Sequence, residues 1–252
     1  MLDNGHEKEE KLQKVLARMG LASRRAVEEY ILDERVEVNG AIAHIGQRVN
    51  IQTDELHFDG TPLRVKPELV YYLLHKPRGV ISTAKDPEGR ETVVDLLPSV
   101  PRIFPVGRLD KESEGLLILT NDGDFTYRLT HPSHGVEKEY LVAVKGKISR
   151  GNLRKLREGI KLEDGITAPA KVSQVEDGLI KITIHEGKNR QVRRMFKSID
   201  HPVLRLIRPR IGNLVDHKLQ SGEWRLLNAL ELLDFESGII SNEGDLGVEA
   251  EN

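Results

Sequence analysis

The chain has 252 residues, 38% apolar and 31% charged, and a net charge of −2, enough for one substantial core and a small second domain. It has no cysteine, which excludes disulfides and thiolate metal sites. The start, Met1 to Glu7, lacks the basic and apolar parts of a signal peptide, and no apolar run approaches the roughly 20 residues that span a bilayer, so a cytoplasmic protein is expected.

Residues 1–10 hold Asp3, Glu7, Glu9 and Glu10 against Lys8, and are expected to be a flexible acidic start. From Lys11 to about Leu32 the pattern predicts two short helices. Leu12, Val15, Leu16 and Met19 fall on one face, Gly20 stops the first helix, and Ser23 caps a second through Ala26, Val27, Tyr30 and Ile31. Val36–Val38 is a strand entering an Asn39-Gly40 hairpin turn, with further strand pieces at 42–45 and 55–58. Lys11, Lys14, Arg18, Arg24 and Arg25 occur between residues 11 and 27 without one acid. Residues 11–58 thus form a small module with a basic helical face, which alone reads equally as a solvated surface. Turn residues at 59–68 predict a linker.

From Leu69 the chain is strand-rich. Tyr71 to Leu74 lead into Lys76-Pro77-Arg78-Gly79, and Val80-Ile81-Ser82-Thr83 is expected to resume the strand. Next comes Gly107-Arg108-Leu109-Asp110-Lys111-Glu112-Ser113-Glu114-Gly115, then an apolar strand and Asn121-Asp122-Gly123, read as a hairpin signal. This places one carboxylate, Asp110, in a Gly-flanked turn, which is how a fold presents a nucleophile. Strands are also predicted at 140–144 and 179–184, and helices at about 149–158 and 189–199. Strand runs without βα alternation argue for an α+β fold on a mixed, largely antiparallel sheet over residues 69–235. Residues 236–252 hold five acids and no base and are expected to be a disordered tail; without both acidic ends, residues 11–235 carry +6.

The basic helical pair, the Ser23-Arg24-Arg25 turn and the strand to Asn39-Gly40 resemble an S4 RNA-binding domain. Lys76–Val80, the Asp110 run, Lys138-Glu139-Tyr140 and Glu186-Gly187-Lys188-Asn189-Arg190-Gln191-Val192-Arg193-Arg194-Met195-Phe196 resemble, in order, the motifs of the S4-domain ribosomal-RNA pseudouridine synthases. Ser113 departs from the family's usual Thr but keeps the hydroxyl. The Tyr72–Ser82 and His185–Met195 segments look closest to the large-subunit branch.

The resemblance implies isomerisation of a uridine to pseudouridine in ribosomal RNA by a monomer, without metal or redox cofactor, because no atom or electron is gained or lost. It implies Asp110 as nucleophile, Arg193 as its cationic partner, and Tyr140 as the ring that stacks on uracil. The implied RNA contacts are Lys11, Lys14, Arg18, Ser23, Arg24 and Arg25 in the first module. Lys76, Arg78, Arg108, Lys188, Arg190 and Arg194 follow in the second. A buried, ionised nucleophile needs a neighbouring cation, and a flipped base needs a ring to stack on. Taken singly, Asp110 reads as a turn ion pair with Arg108, Tyr140 as core, and the basic run from Lys188 to Arg210 as a solvated helix start. His131 and His134 lack carboxylate or Cys partners at ligand spacing, so no metal site is expected. The rival readings are a 16S small-subunit ribosomal-RNA pseudouridine synthase, which shares the same motifs, a non-catalytic RNA-binding assembly protein, and a glycosidase using Asp110 with Glu112 or Glu114.

Overall fold

The computed structural model describes residues 9–63 and 68–235, in two compact units divided between Leu69 and Val70. The expected acidic tail at 236–252 and most of the acidic start lie outside the described residues.

In the first unit, helices α1 (Leu12–Arg18) and α2 (Arg24–Leu32) place Leu12, Val15, Leu16, Val27 and Ile31 in one core with Val36, Val38, Val49 and Leu56. Ser23 caps α2, its hydroxyl accepting from the Ala26 amide at 3.2 Å. The adjoining four-stranded sheet runs in the order Ala41–Ile42, Val36–Val38, Leu56–Phe58, Thr61–Pro62. Asn39 and Gly40 both take positive φ, 52° and 77°, as a primed two-residue turn requires. Glu10, expected in the flexible start, instead pairs in register with Val49.

The second unit is built on one mixed sheet. Its main path runs Lys171–Glu176, Leu179–Ile184, Lys138–Val144, Val203–Ile211, Glu114–Thr120, Tyr71–Lys76, Trp224–Leu226. Neighbours on that path are antiparallel except where Val203–Ile211 meets Glu114–Thr120, paired in parallel at Ile207↔Glu114 and Arg208↔Gly115. Gly115 is needed there. Its φ is +108°, and a Cβ on it would lie 2.4 Å from the Arg208 carbonyl oxygen.

Every residue of Glu114–Thr120 is buried, so the strand has a core on each face. Leu117 and Leu119 join the larger core with Tyr72, Tyr140 and Val142, covered by α4 (Arg150–Glu158) and α5 (Gln191–Lys197). Leu116 and Ile118 point the other way, into a core with Phe125 and Leu129 of α3 (Gly123–Thr130) and with Phe235 of a further helix at 229–235.

Two expected elements differ. Asn121-Asp122-Gly123 does not make a hairpin: Asp122 caps α3, its carboxylate accepting from the amides of Asp124 and Phe125. Asp-Gly signals either structure, and here α3 and a short 3-10 helix, Pro132–His134, follow before the next strand, Lys138–Val144. Val80–Thr83 is not a strand either. Ile81 makes one isolated bridge to Thr92, and Ser82 is drawn to the Asp110 turn.

Candidate active site

Asp110 sits in a turn fastened from two sides. From the first motif, the Ser82 hydroxyl donates to the Leu109 carbonyl at 2.8 Å and accepts from the Leu109 amide at 3.2 Å. The Gly79 amide donates to Lys111 O at 2.8 Å. The Lys76 ammonium donates to Pro77 O at 2.8 Å, Ser113 O at 2.9 Å and, more weakly, Lys111 O at 3.4 Å. From α5, Arg193 Nη2 donates to Glu112 O at 2.7 Å and to the Ser113 hydroxyl at 3.3 Å. The turn cannot shift without breaking several of these bonds.

Held there, Asp110 keeps a 27% exposed side chain, with Arg193 Nε at 3.9 Å from its Oδ2. Among the described residues its ion-pair partner is Arg193, not Arg108, which is exposed. Burial pushes the Arg193 pKa below its ordinary value, and Asp110 is the largest influence opposing that; the group stays cationic. At 3.9 Å and an effective dielectric near 20 the attraction is about 4 kcal/mol before screening.

Asp110 and Tyr140 line one cavity of about 410 Å³, large enough for a nucleotide. Tyr140 is 8% exposed and belongs to the core through Val142's face of its strand. Arg108, Lys188 and Arg190 line the same cavity, Arg108 and Arg190 being exposed. Arg190 adopts φ 47° just before α5. The turn leading into α5 is braced by Gln191, 3% exposed, whose amide donates to Glu186 and accepts from the Lys188 backbone at 3.1 Å.

Several expected RNA contacts pair with groups of the protein itself. Lys76 is 0% exposed, so it cannot reach RNA; it is the clamp of the Asp110 turn. Burial pushes its pKa down to about 8, against the pull of Asp110 and then Glu114 and Glu112. Arg194 makes a two-pronged pair with Asp164 at 2.7 and 2.8 Å, and Arg78 pairs with Glu112 at 2.7 Å. Lys188 donates to Ile166 O at 2.9 Å.

In the first unit, Lys14 and Arg18 converge on Glu10, at 3.1 Å and, for the arginine, 2.7 and 3.0 Å. The acid-free stretch starts just after Glu10, which reaches into it. Lys11, Arg24 and Arg25 remain exposed. Sequence reasoning gave no role to Lys138 or Arg208, both of which line the cavity beside Asp110. Lys138 was eclipsed by Tyr140 in the same motif, and Arg208 was one of eight bases between 188 and 210.

A family model described as RNA pseudouridylate synthase matches residues 70–198, and an S4 domain model matches residues 10–56. The chain is 45% identical to the ribosomal large subunit pseudouridine synthase B of Bacillus subtilis (strain 168) over 231 residues, 88% of this chain and 94% of that protein. It is 42% identical to the protein of the same name from Vibrio vulnificus (strain CMCP6), over 89% of this chain and 73% of that one. A crystal structure of a pseudouridylate synthase superposes with a TM-score of 0.66 at 32% identity, covering 89% of this chain and 99% of that chain. With both models matched in order and relatives similar over nearly the whole chain, this protein belongs to the RNA pseudouridylate synthase family and carries an S4 domain ahead of the synthase domain.

Proposed function

We propose that this chain isomerises one uridine of ribosomal RNA to pseudouridine, that the RNA is that of the large subunit, and that Asp110 is the nucleophile. The observation that carries the reading is the Asp110 carboxylate, held by a doubly fastened turn beside a half-buried guanidinium and sharing a nucleotide-sized cavity with a tyrosine; the other carboxylate lining that cavity, Glu186, accepts from the Gln191 amide. The large-subunit assignment is supported by the names of the Bacillus and Vibrio relatives.

Asp110 attacks the sugar C1′, removes the C2′ proton toward a glycal, or adds to uracil C6; each uses a carboxylate oxygen, and the Arg193 guanidinium lies 3.9 Å from Oδ2. Tyr140 offers the ring on which the unstacked base rests. Exposed Arg108 and Arg190 hold backbone phosphates at the cavity, while Lys11, Arg24 and Arg25 hold structured RNA at the S4 domain. No helix among the described residues is long and apolar enough to cross a membrane, and the reaction takes place in the cytoplasm, where ribosomes are assembled.

The test is pseudouridine mapping on both ribosomal RNAs from cells lacking the protein. Loss of one large-subunit site, restored by the intact gene, is the expected result. A lost small-subunit site would overturn the subunit assignment, and unchanged maps would overturn the enzyme's proposed substrate.

A further inference from the structure

The cavity beside Asp110 has a second cationic end. Arg208 is 4% exposed; its Nε donates to the Leu116 carbonyl at 2.8 Å, and its Nη2 is buried with no hydrogen-bond partner among the described residues. Lys138 lines the same cavity, its ammonium donating to Val136 O at 2.9 Å. Burial, then the charge of Arg208, push the Lys138 pKa down to about 8. The flanking carboxylates are occupied elsewhere, Glu137 by Lys171 and Arg210, and Glu139 by Arg210.

Leaving a buried guanidinium donor unpaired costs about 1–3 kcal/mol or more, and the half-buried Lys138 ammonium lining the same cavity repels it. A fold that holds such a pair at its reaction cavity holds a receptor for negative charge. The exposed Arg108 and Arg190 suit the phosphates of a polymer, which stays largely in water. The pair lines the same cavity as Asp110 and Tyr140, together with the apolar side chains of Ile118, Leu129 and Ile211.

We propose that Lys138 and Arg208 bind a carbonyl oxygen of the flipped uracil and take up the negative charge the base carries while detached from, or partly detached from, its sugar. This rests on the uridine-isomerase reading above. When the N1–C1′ bond breaks, both its electrons leave with the uracil and are shared among N1, O2 and O4. C1′ is meanwhile bonded to an Asp110 oxygen, or has become part of a glycal after the C2′ proton passed to Asp110. In the route through C6 addition, the Asp110 pair forms the new O–C6 bond and the displaced C5=C6 pair is pushed toward O4. The step closes when C5 bonds to C1′ as any Asp110–C1′ bond breaks, any Asp110–C6 bond is released, any glycal C2′ regains its proton, C5 loses its proton, and N1 gains one, so nothing is gained or lost overall. Donors aimed at charge that develops only during reaction lower the barrier without tightening ground-state binding.

The experiment uses the full chain, a ribosomal-RNA transcript containing the mapped uridine, and the same transcript carrying 2-thiouridine or 4-thiouridine there. Lys138→Met and Arg208→Met are compared with wild type, with Arg208→Lys standing in should Arg208→Met not fold. The expected result is a fall in kcat of about 10²–10³-fold with RNA affinity within about threefold. One thio substitution slows wild type but slows the variants no further, as coupled groups behave. A kcat within threefold of wild type would overturn the proposal, as would thio effects that multiply in full at both oxygens. An affinity loss with a salt dependence shallower by about one charge would overturn it too, assigning the pair to a phosphate. If wild type itself forms no pseudouridine, the isomerase reading fails and the proposal with it; an active wild type with unaffected variants overturns the proposal alone.

Discussion

Replacing Lys76 with methionine tests whether this lysine is a clamp or an RNA contact. The substitution keeps the apolar stem and removes the donor to Pro77 O and Ser113 O, the two close bonds at 2.8 and 2.9 Å. Hydrogen bonds from a charged group contribute about 1.5–3 kcal/mol each, offset here by the cost of burying the ammonium. The net loss is therefore about 2–4 kcal/mol, or a fall in Tm of about 4–15 °C for a unit of this size. Because Lys76 is 0% exposed, RNA affinity measured well below the Tm should stay within about twofold. Calorimetry and filter binding read the two quantities. An unchanged Tm with weakened RNA binding would refute the reasoning. The pH dependence has a defined sign. With the folded pKa near 8, below the ordinary 10.5, the folded chain binds fewer protons than the unfolded one between those values. The Lys76 contribution to stability therefore rises with pH across that window, and Lys76→Met flattens the rise.

Gly115→Ala drives a Cβ to 2.4 Å from the Arg208 carbonyl oxygen at positive φ, so it should cost more than about 4 kcal/mol; a normal melting curve would contradict the strand contact described. Asp164→Asn breaks the half-exposed Arg194 pair and should change stability by less than about 1 kcal/mol without weakening RNA binding. Stronger RNA binding in that variant would instead show Arg194 to be a phosphate ligand that Asp164 restrains. Deleting residues 1–58 should leave a cooperatively folding synthase unit whose affinity for ribosomal RNA falls at least tenfold; unchanged affinity would refute the role given to the S4 domain.

Much of the site was legible because it is written in contiguous motifs. Asp110, Tyr140 and Arg193 lie 30 and 53 positions apart along the chain, yet each sits in a run whose turn residues and apolar spacing announce its element. The helix cap Ser23 was readable for the same local reason. What escaped depends on contacts distant in sequence. Lys76 looks like any basic residue beside Pro77 until the strand is seen to end under the Ser113 turn, 37 positions away. Asp122-Gly123 serves a cap or a hairpin equally well, and only the buried Phe125 and Leu129 face of α3 decides between them. The apparent basic patch at residues 11–27 lost two members to Glu10 because a short strand pairing brings that acid into place. Arg208 became visible only through the parallel contact that buries it against Gly115 and Leu116.

The most direct test of the central claim compares the purified wild-type chain with Asp110→Asn on ribosomal RNA, counting pseudouridine formed and free uracil released. The substitution is nearly isosteric and leaves the turn's backbone bonds in place. The account expects pseudouridine and no free base from wild type, and no product from Asp110→Asn with RNA affinity within a few-fold. Turnover by Asp110→Asn near the wild-type rate would remove Asp110 from the chemistry, and release of free uracil by wild type would make the enzyme a glycosidase.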